Sequence, residues 1–246
     1  MAGRDWAFSL NLGMKKYIAK YVVEFFVVVT GVLISFYVEK HRASAYKDDL
    51  KNHSLSRLAA NIEADIADSW INHRIHSKAV GACRSLIGNY DAYQANHKDS
   101  IGHYLSIASK SWTIFIDNPE EYLTLRNSGL IELVENDSLI MLLQQKYSSH
   151  QVYKQYENHI YVTNDALVRV FNQKTSGRDL TPRSAGEPLI RAYGALIEGQ
   201  ELTDEDFNLI RTRLEFSSAY LRDILIGIDR DSLILRNLHA VTQEPS

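Results

Sequence analysis

A single cysteine, Cys83, serves all 246 residues, so the chain has no disulfide framework and no multi-cysteine metal site. Proline occurs four times and glycine twelve times, and long stretches contain neither, which favours helix. Neither sign of charge dominates. The net charge of −3 offers no basic excess for nucleic acid, and no nucleic-acid partner is expected.

What the chain does have is one long apolar run near its N-terminus, Tyr21–Val38 (YVVEFFVVVTGVLISFYV). Eighteen helical residues rise about 27 Å, close to the hydrocarbon thickness of a bilayer. Twelve residues between Val22 and Val38 are Val, Leu, Ile or Phe. They favour insertion by on the order of 5 kcal/mol, against a cost of roughly 3 kcal/mol for a central acidic residue. Glu24 is the one charge in the run, and it lies near an end, where water and headgroups lower that cost. A cleaved signal peptide or a buried core helix are the alternatives. A signal peptide needs small residues at a cleavage site soon after the run, whereas Val38-Glu39-Lys40-His41-Arg42 follows here. The expectation is a retained single-pass anchor whose first partner is the lipid bilayer.

Lys and Arg flank both ends of the run: Arg4, Lys15, Lys16 and Lys20 before it, and Lys40, Arg42, Lys47 and Lys51 after it. The short leading segment carries its positive charges with only Asp5 to dilute them. That favours a cytoplasmic N-terminus, with the remainder on the far side of the membrane. Trp6 to Met14 is suited to a short interfacial segment. The expected division is residues 1–20 as a cytoplasmic or interfacial segment, 21–38 as the transmembrane helix, and 39–246 as a helical-bundle domain.

The rest reads as all-α, one N-terminal transmembrane helix continuing into an extramembrane helical bundle. No proline or glycine falls between Glu39 and Ala79, so the anchor helix continues beyond the bilayer. Leu55, Leu58, Ile62, Ile66 and Ser69, then Val80, Cys83, Ile87 and Tyr90, recur at steps of three and four, the mark of one packed stripe. His73 and His76 fall on it, and Gly81 and Gly88 argue against an unbroken helix to Tyr90. Gln94–Ser100 reads as a turn and Ile101–Lys110 as a short helix. Ser111–Asn118 is β-branched and aromatic but too isolated to build a sheet. Pro119 opens a helix that Gly129 ends. Asp137 or Ser138 caps a helix reaching Gln173. Thr175–Gly186 reads as a loop, and Pro188 starts a helix ending at Gly199. Thr203 with Asp206 approximates a capping box for a last helix to about Val241, its apolar side including Leu209, Ile224, Leu225, Ile228 and Leu238.

Two segments carry a resemblance. VVEFFVVVTGVLISFYVEKHR and, far downstream, EEYLTLRNSGLIELVENDSLIMLLQQKYS are similar to the uncharacterised bacterial membrane proteins grouped as DUF6090. The matching positions are Glu24 to Gly31 in the anchor, and Tyr122, Leu125, Ser128, Gly129, Ile131 and Tyr147 downstream. The resemblance implies an N-terminal anchor and a helical extramembrane domain. It implies no activity, catalytic residue or cofactor.

Candidate sites are few. Glu24 is either a partner for a basic group in a neighbouring membrane helix or an interfacial residue paired with Lys20 one turn earlier. Gly31 and Ser35, four apart, form a small-residue pair through which two helices can approach. His73 and His76, three apart, are the only candidate metal ligands. They would need further donors such as His150, His159 or Asp165, so no metal is assigned. Cys83 reads as a buried inert thiol. The tyrosines at 147, 153, 156 and 161 read as bundle core and rim, and Asp204, Glu205 and Asp206 as a helix N-terminus. No cofactor and no catalytic residue is expected. Three classes follow: a membrane-anchored interaction or assembly module that docks other membrane subunits or self-associates, a membrane-proximal small-molecule sensor, or a metal-binding membrane enzyme.

Two substitutions separate the anchor's roles. Glu24→Gln should leave membrane level and oligomers nearly unchanged. Gly31→Leu, which obstructs the small-residue face without lowering hydrophobicity, should reduce oligomers cross-linked in membranes. The opposite pattern would reverse the roles of the two positions.

Overall fold

The computed structural model describes residues 5–176 and 194–243, with side chains described over 20–176 and 194–242. Five α-helices and one 3₁₀ turn account for nearly all of them: α1 (Asp5–Asn96), α2 (Lys98–Lys110), α3 (Glu120–Asn127), the turn Leu130–Leu133, α4 (Asp137–Lys174) and α5 (Asp204–Gln243). An isolated antiparallel bridge, Thr175 with Leu196, is the only β pairing among the described residues. The all-α expectation therefore holds. The chain divides into two compact units, Met1–His53 and Ser54–Ser246, and α1 contributes residues to both.

In the first unit the run from Tyr21 to Val38 is helical, and its large side chains face outward. Among the described residues, α1 holds the one stretch long and apolar enough to cross a bilayer. The segment Trp6–Met14 is helical as part of α1.

The second unit is a helical bundle. Helices α4 and α5 run antiparallel, as the pairings Lys146–Asp231, Tyr153–Asp223 and Glu157–Tyr220 require. Three buried apolar clusters are stacked along it. One contains Leu55, Leu58, Ile62, Leu139, Ile234 and Leu238. A middle one contains Phe115, Tyr153, Ile160, Ile224 and Ile228. The third contains Cys83, Leu86, Leu105, Leu167, Phe171 and Ile210. Residues 111–119 form no helix and no strand, and lead from α2 to α3 as an extended strap.

The helix ends follow their local chemistry. Gly129 adopts φ 74°, the left-handed conformation expected after α3. Pro119 stands at the N-cap of α3. At the start of α5, Thr203 N–H donates to Asp206 Oδ2 at 2.7 Å and Asp206 N–H donates back to Thr203 Oγ1 at 3.3 Å. This completes the capping box.

Four expectations need correction. Gly81 and Gly88 do not interrupt α1, which continues to Asn96, because Ala79 and Val80 are buried before Gly81, Cys83 and Leu86 after it, and Tyr90 and Tyr93 beyond Gly88 pack partly buried on the same cluster. The turn expected over Gln94–Ser100 shrinks to His97 alone. Asn136, not Asp137 or Ser138, caps α4, accepting from Leu139 N–H at 3.0 Å. Of the segment Pro188–Gly199, the described part, 194–199, is not helical. Its Leu196 N–H donates to Lys98 O at 2.9 Å, and Ile197 N–H donates to Lys174 O at 2.9 Å. The interior of the loop expected over Thr175–Gly186, from residue 177, and the helix start at Pro188 lie outside the described residues.

Gly102 is where this connection meets α2. A Cβ there would lie 1.6 Å from the carbonyl oxygen of Gly194, whereas one on Gly88 would meet nothing within 4 Å. Gly102→Ala should therefore lower stability. Overpacking costs about 1–3 kcal/mol and outweighs a helix-propensity gain of about 1 kcal/mol. Gly88→Ala should raise stability by about 0.5–1 kcal/mol. Chemical denaturation of both variants checks the contrast, and equal effects would contradict it.

Candidate functional site

The bundle interior holds polar side chains at the steps of its apolar stripes. On α4 the buried residues run Leu139, Leu143, Lys146, His150, Tyr153, Glu157, Ile160, Asn164, Leu167 and Phe171, alternating four and three. The inner positions of α1 run Leu55, Leu58, Ile62, Asp65, Ser69, Asn72, His76, Ala79, Cys83 and Leu86 with the same alternation. This is coiled-coil spacing with polar groups at inward positions.

The first polar level lies between the lower and middle apolar clusters. Lys146, 2% exposed, places its Nζ 2.6 Å from Asp231 Oδ2 and 2.9 Å from Asp65 Oδ2. The contact to Asp231 is a hydrogen bond, and that to Asp65 is an ion contact without hydrogen-bond alignment. Two carboxylates thus share one ammonium. Burial raises both their pKa values, and Lys146 opposes that rise. Beside them His150 Nδ1 donates to Asp117 Oδ2 at 2.6 Å. Burial and the Lys146 charge outweigh Asp117 and bring the His150 pKa down to about 4, so the imidazole is neutral at pH 7. Tyr147 stacks on Tyr122 with ring centres 4.4 Å apart.

The second level serves the strap. Phe115 N–H donates to Glu157 Oε1 at 2.6 Å, and Lys154 donates to Phe115 O. Ile116 N–H donates to Asp68 Oδ2 at 3.0 Å. Asn72 Nδ2 donates to the same carboxylate oxygen at 3.0 Å. The Tyr220 hydroxyl donates to Glu157 Oε1 at 2.9 Å. His76 is fully buried with Nε2 3.0 Å from Thr113 O, so Nε2 carries the hydrogen and Nδ1 is a bare acceptor. Burial, then the Arg213 charge, lowers the His76 pKa to about 3.

The third level lies where the middle and upper clusters meet. Arg213 is fully buried. Its Nε donates to Ala108 O at 3.3 Å and its Nη2 to Ser111 O at 2.7 Å, while Nη1 donates to Ser217 Oγ. Ala108 and Ser111 bring carbonyls from the C-terminal end of α2, where a cation is stabilised by up to about 2 kcal/mol. A buried ion costs several kcal/mol, and no carboxylate pairs with Arg213 among the described residues. Burial lowers its pKa to about 10, which still leaves it charged at pH 7.

The residues expected to bear function are placed as follows. Glu24 Oε1 lies 3.7 Å from Lys20 Nζ, both side chains well exposed. Ser35 Oγ donates to Gly31 O at 2.9 Å within its own helix, and a Cβ on Gly31 would meet nothing within 4 Å. His73 and His76 part company: His76 points inward to the strap, and His73 lies edge-on to Trp70 with ring centres 5.6 Å apart. His159 stacks on Phe216 and Asp165 pairs with Arg169, so neither joins them. Among the described residues no three His, Cys, Asp or Glu side chains converge as metal ligands. Cys83 is buried, and burial raises its thiol to about 11. Tyr153 is core, whereas Tyr161 is exposed. Among the described residues, open hollows lie at the Arg57–Glu121 ion pair and beside Tyr90, Asp91, Phe207 and Arg211.

Lys146, Asp231, Glu157 and Arg213 are the residues that sequence reasoning passed over. The signal for them was the unbroken three–four spacing that runs straight through each charge. No family model matches the chain, and no curated protein or solved structure is significantly similar to it.

Buried neutral His76 fixes a pH dependence. Its folded pKa lies below the unfolded value of 6.5, so the stability it contributes is complete above that value and is lost as pH falls toward about 3. The loss approaches about 1.4 kcal/mol per pH unit within that window. Asp65, Asp68 and Asp231, whose folded values are raised, take up protons in the folded state and offset part of it. His76→Gln keeps a donor for Thr113 O and removes the titration. Urea unfolding of the full chain in detergent at pH 7, 6 and 5 should show a shallower decline for this variant. Identical slopes would refute the assignment.

Proposed function

We propose that the chain is a membrane-anchored helical interaction module, an accessory subunit of a membrane complex with no catalytic activity of its own. The observation that carries this reading is the outward apolar surface of residues 21–38. Tyr21 is 66% exposed, Val27 65% and Phe36 65%, and no described side chain of the first unit covers them. Lipid and the helices of other membrane subunits, or of a second copy, are the environments that bury such a surface. The positive charges of the short leading segment, diluted only by Asp5, support a cytoplasmic N-terminus in a bacterial cell with the second unit in the periplasm.

The interior of the second unit supports a scaffold. Its charged groups are engaged with one another and with the strap, buried and away from the two open hollows. A docking domain needs such a rigid frame with chemistry on its outside.

The test is extraction at alkaline pH in carbonate, followed by protease treatment of spheroplasts. The chain should stay in the membrane pellet, and external protease should remove the second unit. Release into the supernatant would overturn the anchor, and protection from protease would reverse the orientation.

A further inference from the structure

Buried polar atoms without a hydrogen-bond partner include His76 Nδ1, Ser111 Oγ and both side-chain amide atoms of Asn164, Nδ2 and Oδ1. Their placement follows from the register. Glu157 meets Tyr220 directly. Asn164 lies about two turns beyond Glu157 on α4, and Arg213 about two turns before Tyr220 on antiparallel α5, each on the same inner face as its reference residue. Both are buried. On α1 the charge of Arg213 is felt at His76 and at Cys83. Ser111 reaches it through its carbonyl.

A guanidinium has five N–H groups. Three of those on Arg213 are spent, on Ala108 O, Ser111 O and Ser217 Oγ, which leaves one on each terminal nitrogen. A buried water would satisfy stray donors but would bring no charge. His76 and the Cys83 thiol are neutral at pH 7 and bring none either. Among the described residues no negative charge faces the guanidinium.

We propose that this level of the bundle binds a small monovalent anion of the chloride class, held by the two unspent N–H groups of Arg213 and the side-chain amide of Asn164. The Ser111 hydroxyl supplies a further donor. The anion neutralises the guanidinium between the middle and upper apolar clusters, and so couples α4, α5 and the C-terminal end of α2. It acts as a structural ion, bound by the folded chain and released on unfolding.

Thermal unfolding of the full chain in a mild non-ionic detergent tests this, with sodium chloride exchanged for sodium gluconate at constant ionic strength. The midpoint should rise with chloride and then follow its logarithm. At ten times the dissociation constant the folded-to-unfolded ratio should be about tenfold higher than without chloride. Asn164→Asp supplies a carboxylate in place. It should abolish the chloride response and, in gluconate, be more stable than the natural chain. Arg213→Met removes the charge and should also lose the response. If Arg213→Met does not fold, Asn164→Asp alone decides the matter. No chloride response in the natural chain, or the full response retained in Asn164→Asp, would overturn the site.

Discussion

An extended segment inside a helical bundle must find partners for its peptide groups, and the polar side chains at the middle of the second unit answer that demand. Helices satisfy their own backbone, whereas the strap over residues 111–119 has no neighbouring strand to do so. Glu157, Asp68, Lys154 and His76 supply the missing donors and acceptors from α1 and α4. Each of these groups needs its own support in turn. Glu157 is held by Tyr220 and Lys154, and Asp68 by Asn72. The polar interior is therefore one connected system that ties three helices to a single length of chain, and removing one member leaves others unpaired in low dielectric.

The buried charges then fix how the helices align. Lys146 meets carboxylates from two other helices, and a shift of α5 by one turn would break its pairing with Asp231 and leave that carboxylate buried without its cation. A purely apolar stripe tolerates such a shift, because Leu and Ile are interchangeable along it. Buried ionic groups of this kind are a modest source of stability and a strong source of register.

The sequence made some of this legible. Tyr21–Val38 was visible as a continuous apolar run, and the Thr203–Asp206 box and Gly129 were visible as local chemistry that decides a helix end on its own. The Asn136 cap was not, since Asn136, Asp137 and Ser138 are all competent caps and only the path of the chain selects one. His97 alone separates α1 from α2, although the polar stretch around it suggested a longer turn. The charged core residues were hidden for a physical reason. A stripe is read by its apolar members, so a Lys or Glu at an inward step looks like the end of the stripe. What keeps it inside is a partner more than sixty residues away, as with Tyr220 and Glu157. His73 and His76 misled in the converse way, since proximity in sequence put together two rings that tertiary contacts send to different neighbours.

The span of these contacts has a consequence for how the chain is made. Asn72 on α1 waits for Tyr220 on α5, 148 residues later in synthesis. At ribosomal speeds that interval is on the order of ten seconds. Throughout it the inner face of α1 stands without its final partners. Asp65, Asn72 and His76 interrupt that face with groups that water solvates well. The polar positions that later index the bundle also keep the unfinished helix from pairing with the wrong one.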